Sequence, residues 1–143
     1  MNPAPAASRS NGVVRLEIPA VAEWVAVARL AVAAVASRRP FSVDDLEDIK
    51  LAAAEACTNA IQHGPPNGTI AITCEVSAEG ITISVSDRGH GAPLGTVAQE
   101  RIGDAGRTEE LGVFLIRALM DTVEYTSDVR NGTQLVMTKR ISR

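Results

Sequence analysis

The sequence predicts an α+β fold in two layers, with helices packed on one face of a mixed, mostly antiparallel sheet. Three observations carry this expectation. The elements read in the order β-α-α-β-β-loop-α-β-β, without the regular βαβ alternation of a parallel sheet. Two pairs of strands lie close enough in the chain to be hairpins. And the segment ITISVS (81–86) alternates apolar and hydroxyl side chains, which buries one sheet face and wets the other.

The 143 residues suit a single domain, and 45% hydrophobic with 22% charged residues suit a globular one. Aromatic residues make up only 3%, so Ala, Val, Ile and Leu must build the core. A net charge of -3 lacks the basic footprint of a protein that binds nucleic acid or anionic lipid. Cys57 and Cys74 form neither a disulfide framework nor a CxxC motif; each sits in an apolar run and reads as a buried thiol of a cytoplasmic protein.

Residues 1–12, MNPAPAASRSNG, read as a disordered leader, and 13–143 as one domain. VVRLEI (13–18) reads as a short strand at a sheet edge, ended by Pro19. Ala20 to Arg39 reads as an Ala- and Val-rich helix, with Arg38 and Arg39 suited to its C-terminal dipole and Pro40 as its stop. Its apolar stretch from Val25 to Ala36 is too short to span a membrane and is interrupted by Arg29. Ser42 and Asp45 resemble a capping box and open a second helix that runs to His63 before Gly64-Pro65-Pro66. Leu46, Ile49, Ala53, Ala56, Cys57, Ala60 and Ile61 give it an apolar face. Strands at 69–76 and 81–86 follow. The Gly-rich stretch 87–108 reads as a loop, long enough to suggest function or mobility. A helix from Glu109 to Met120 would turn Leu111, Phe114, Leu115, Ala118 and Leu119 inward, and a hairpin of 122–127 and 133–140 closes the chain.

Four places have residue types suited to chemistry. Glu55 and Asn59, four apart, share a helix face with Asp48, Ala52, Gln62 and His63, opposite the apolar face. That stripe is either an ordinary solvated face or a pair of hard oxygen groups facing a cleft, where Asn suits Mg²⁺ and Glu suits a base or ligand. Asp87-Arg88-Gly89-His90-Gly91 ends a strand; it is either a surface turn or a carboxylate set to accept a purine amino group, with glycines admitting a flat ligand. Gly112 enters the third helix after the long loop, where a helix N-terminus would seat phosphate, although Glu109 and Glu110 oppose that charge. Gly132-Thr133 is a turn and strand start, or part of the same pocket.

Other chemistries find little support. No GxxxxGK[ST] P-loop occurs. Ser86, Asp87 and His90 lack a nucleophile-elbow GxSxG, and neighbouring strand residues point to opposite faces. His63 and His90 alone do not make a zinc site.

Taken in order, these motifs resemble the GHKL (Bergerat-fold) ATPase superfamily, and within it the small anti-sigma-factor serine kinases of the RsbW and SpoIIAB type. EACTNAIQHG resembles the N box, SVSDRGHG the first glycine box, ELGVFLIRALMD the second, and NGTQLVMTKR the closing Gly-Thr strand. The resemblance covers nearly all of 13–140. It implies ATP and Mg²⁺ as cofactors. Asn59 would hold Mg²⁺, Glu55 would act as the base toward a substrate serine, and Asp87 would bind the adenine amino group. Gly89 and Gly91 would shape the base pocket, Gly112 would meet the phosphates below a lid within 92–108, and Thr133 would support the adenine end. The implied partners are a sigma factor, a small antagonist protein and a second copy, joined through the first strand and helix. Neither nucleic acid nor membrane is expected as a direct partner. One departure stands out: the second box usually reads Gly-x-Gly, and here Glu110 takes the first glycine's place. A carboxylate there bears on lid closure and turnover more than on adenine binding. The alternative to a kinase is a nucleotide-responsive binding module with weak or no catalysis, in which ATP selects a partner-binding shape.

Overall fold

A computed structural model describes residues 10–65, 67–87, 104–128 and 132–141. Its strands are β1 (Ser10–Pro19), β2 (Thr69–Ser77), β3 (Gly80–Ser86), β4 (Thr122–Asp128) and β5 (Gly132–Arg140). A 3-10 turn at Ala22–Trp24 leads into helix α1 (Val25–Ala36), followed by α2 (Val43–His63) and, later in the chain, α3 (Asp104–Leu119). The five strands form one sheet in the order β1-β2-β3-β5-β4, and every pairing is antiparallel among the described residues. The two-layer α+β expectation holds; the sheet, expected to be mixed, shows no parallel pair there.

The sheet's alternation decides where the helices lie. Ile70, Ile72, Cys74 and Val76 of β2, Ile81, Ile83 and Val85 of β3, and Leu135 and Met137 of β5 are all buried. Their neighbours on the other face, such as Thr73, Thr82 and Ser84, are only partly buried. On this wet face Gln134 Nε2 donates to Ser84 Oγ at 3.2 Å across the β3–β5 pair. The apolar face is covered by α2, whose Ile49, Ala52, Ala53, Ala56, Cys57 and Ala60 are buried, and by α1 through Ala28, Val32 and Ala36. So many small alanines suit a close approach of helix to sheet in a core nearly without aromatic residues. Both cysteines are free thiols within it. Burial pushes Cys57 up to about 12, with the Cys74 sulfur adding to it, and pushes Cys74 up to about 11.

The start of α2 follows its sequence signal: Ser42 Oγ accepts from the Asp45 backbone N–H at 3.0 Å, satisfying one of the orphan donors of the first turn. Beside this same start of α2, Lys139 donates to the Leu119 carbonyl at 2.6 Å, capping α3, and faces Asp48 at 3.6 Å and Asp45 at 3.9 Å. In the β2–β3 hairpin Gly80 is required by close approach, since a Cβ there would run into the Lys139 carbonyl of the neighbouring strand.

Several expectations need correction. Strand β1 begins at Ser10, inside the stretch read as a leader; residues 1–9 lie outside the described residues. The first helix is shorter than Ala20–Arg39, because its first turn is 3-10 and Arg38 and Arg39 follow its end. Helix α3 starts at Asp104, five residues before Glu109, and so takes in 104–108 of the expected loop and lid; 92–103 lie outside the described residues. The segment is helical although Gly106, Thr108 and Gly112 lower its helix propensity. The inward face of α3 is partly rotated: Leu119 packs on the core as expected, but Ile116 and, just past the helix, Met120 are the buried residues with Val113 beside them, while Phe114 is 70% exposed and Ala118 is exposed.

Candidate functional site

The C-terminal end of α2, the end of β3 and the start of β5 meet at one edge of the sandwich. Asp87 follows directly after β3 and is 3% exposed. Its backbone N–H donates to the Thr133 carbonyl at 3.2 Å, which extends the β3–β5 ladder by one bond. Its Oδ2 accepts from Thr133 Oγ1 at 3.1 Å. Thr133 therefore fixes both the backbone and the carboxylate of Asp87. A buried carboxylate is costly unless it is hydrogen-bonded, and one held at a sheet end suits a ligand that offers a donor. Asp87 and Thr133, to which the resemblance gives separate roles at the adenine end, are thus in direct contact.

Gly64, the C-cap of α2, closes the other side. A Cβ on Gly64 would stand 3.4 Å from Asp87 Cβ and 3.5 Å from Asp87 Oδ2. The sequence reading treated this glycine only as a helix stop. The signal for a site residue was weak, because Gly-Pro-Pro is sufficient to end any helix.

Asn59 lies five residues before Gly64 on α2, about 7.5 Å along the axis. It is one of only two buried polar or charged residues among those described, the other being Asp87. Its Oδ1 is buried and receives no hydrogen bond. Such an orphaned oxygen carries a desolvation cost and marks a place where a ligand is expected. Glu55, one turn earlier, is half-buried. The stripe bearing Glu55 and Asn59 is therefore not opposite the apolar face: Ala52 is fully buried, and Asn59 belongs to the buried side. The helix presents them at the border of the core, which is where a cleft residue must sit.

The remaining expected residues are less closely assembled. Gly112 is the ninth residue of α3 and not at its N-terminus, so the phosphate seat expected from a helix start is not formed there. A Cβ at Gly112 would meet nothing within 4 Å outside its own turn of helix. Gly89 and Gly91 lie outside the described residues, as does His90. Among the described residues no group of three or more His, Cys, Asp or Glu side chains is arranged to hold a metal ion. A metal here would rest on Asn59 Oδ1 and the ligand's own oxygens. The residues fit that use, since Mg²⁺ takes hard oxygen ligands and commonly shares substrate phosphates.

Comparison with known proteins bears on the fold and the family. Residues 18–139 match the family described as Histidine kinase-like ATPase domain. The chain is 37% identical over 140 residues to Serine-protein kinase RsbW of Bacillus mycoides (strain KBAB4), covering 91% of this chain and 86% of that one. It has the same identity and coverage to Serine-protein kinase RsbW of Bacillus cereus (strain AH187). It is 35% identical over 139 residues to Serine-protein kinase RsbW of Halalkalibacterium halodurans, covering 91% and 84%. With its five-stranded sheet, its Asp87–Thr133 pair and these relatives, the chain belongs to the histidine kinase-like ATPase family and to the RsbW type within it.

Proposed function

We propose that this chain is an anti-sigma factor and ATP:protein serine kinase: it sequesters a sigma factor and phosphorylates a serine on a small antagonist protein in the cytoplasm. The observation that carries the catalytic part is the buried, unpaired Asn59 Oδ1, one turn from Glu55 and close along α2 to the Gly64–Asp87–Thr133 assembly. The names of the relatives supply the reaction class.

Each residue then has a role. Asp87 accepts a hydrogen bond from the adenine amino group while Thr133 keeps its carboxylate oriented, and Gly89 and Gly91 let the base lie flat. Asn59 holds Mg²⁺ shared with the phosphates. When bound, Mg²⁺ supplies neutralisation of the charge on the β- and γ-phosphoryl oxygens. Glu55 receives the proton of the substrate serine as the bond from serine oxygen to γ-phosphorus forms. The bond from that phosphorus to the β–γ bridging oxygen breaks, leaving phosphoserine and ADP. The protein's contribution is mainly positioning. Gly112 leaves room beside α3 for the phosphate end.

A homodimer through β1 and α1 is part of this proposal. β1 is an edge strand, and the exposed apolar residues Val13, Val14, Val21, Trp24, Val27 and Leu30 (64% exposed) cluster on these two elements and their connection. No helix among the described residues is long and apolar enough to cross a membrane.

The test is transfer of the γ-phosphoryl group of labelled ATP to a candidate antagonist carrying a serine, with sedimentation of the chain alone and with a sigma factor. Phosphoserine on the antagonist, and a sigma complex lost on its phosphorylation state, are the expected results. Nucleotide-dependent partner binding without transfer would make this a binding module instead.

A further inference from the structure

We propose that Gly64 is a positioning residue for base specificity: its missing side chain sets the orientation in which the Asp87 carboxylate meets the base. This rests on the adenine-binding reading of Asp87. Glycine is not required at position 64 by its backbone. Its φ of -87° and ψ of 171° are extended values open to any residue, and the residue before a proline, here Pro65, favours this region anyway. Space is the constraint. A Cβ at Gly64 would stand 3.1 Å from the Ala60 carbonyl oxygen, which already accepts from the Gly64 N–H at 2.9 Å. The same Cβ would touch Asp87 at both Cβ and Oδ2.

Oδ2 is also the oxygen bonded to Thr133 Oγ1. The carboxylate is therefore bordered by Gly64 on one side and held by Thr133 on another. Alanine adds only a Cβ, close to ordinary contact with Asp87. A branched side chain adds atoms beyond Cβ in the space beside the carboxylate and turns it out of the plane set by Thr133. Hydrogen bonds weaken steeply with misalignment, so a rotated carboxylate loses its preference for an amino group over a carbonyl. The α2 C-cap thus acts on base recognition through Asp87 without itself bonding the nucleotide.

The experiment compares dissociation constants for ATP and inosine triphosphate, which carries a carbonyl where adenine carries its amino group, in the full chain and in Gly64→Ala and Gly64→Val. The wild type is expected to favour ATP by about tenfold or more, the size of one charge-assisted hydrogen bond. Gly64→Val should bring that ratio to near one, chiefly by weakening ATP, and Gly64→Ala should keep most of it. A merely structural role would shift the thermal midpoint and weaken both nucleotides alike, and that result would overturn the proposal. So would an unchanged ratio in Gly64→Val. If Gly64→Val does not fold, Gly64→Leu and Gly64→Ser serve in its place, and a ratio that does not fall with side-chain size overturns the proposal. A wild type with no preference for ATP would instead sink the adenine reading of Asp87, with or without Gly64.

Discussion

The two ends of the proposed site, one for the base and one for the phosphates, are built differently. At the base end Asp87 is joined to Thr133 through backbone and side chain and bordered by Gly64, so its geometry is set before any ligand arrives. At the proposed phosphate end Asn59 Oδ1 is buried without a donor and Glu55 is half-buried. On the proposed reading, the difference follows from what each end would recognise. A neutral base is selected by fixed hydrogen-bonding groups, and preorganisation lowers the cost of binding it. Phosphates would bring their own charge and cation, which suits the one oxygen left unsatisfied there, Asn59 Oδ1, at some cost in stability.

The largest effect expected at the phosphate end is on chemistry. Glu55→Ala should lower phosphoryl transfer by roughly 10²–10⁴-fold, the usual scale of a general base, while ATP binding measured by titration persists. Equal loss of transfer and binding would remove Glu55 from the role of base.

Next comes a control in the core two residues from Asn59. Cys57 and Cys74 are raised from 9.0 to about 12 and about 11, so the folded chain holds these protons longer than the unfolded one. Their contribution is fully present below pH 9.0 and is lost as pH rises through about 12. Each unit of difference is worth about 1.4 kcal/mol, so denaturant midpoints should fall steeply across that window. A Cys57→Ala, Cys74→Ala double variant should flatten the fall if the thiols cause it. Thiol reagents at neutral pH should label neither residue until the chain unfolds.

Asn59→Ala sharpens the contrast between the two ends. Mg-ATP at 100 times its dissociation constant should stabilise the wild type by about 2.7 kcal/mol, a rise of roughly 5–10 °C in thermal midpoint. Asn59→Ala should abolish the part of that rise that depends on Mg²⁺. If both proteins respond alike, Asn59 does not hold the metal.

The smallest effect is at Gly112. Replacing a mid-helix glycine that has open space beside it should stabilise the ligand-free chain by about 0.5–1 kcal/mol. Nucleotide affinity should fall in the same variant if phosphates approach this backbone. A stabilised Gly112→Ala with unchanged affinity would leave Gly112 outside the site.

The sequence by itself determined the strands, because the alternation of ITISVS and its partners makes one face apolar whatever lies against it. It determined the start and stop of α2 through Ser42 and Gly64-Pro65, where local chemistry decides. It also supplied Glu55, Asn59, Asp87 and Thr133 as candidates. Only tertiary structure decided how they stand. It buried Asn59, because α2 lies deeper against the sheet than a period-based face assignment implies. It extended α3 back to Asp104, and it turned Phe114 outward because tertiary packing chooses which of two adjacent apolar stripes faces in. And it brought Gly64 against Asp87. A helix-ending glycine looks the same in sequence whether it faces water or a carboxylate 3.5 Å away, since that distance depends on a strand 23 residues later in the chain.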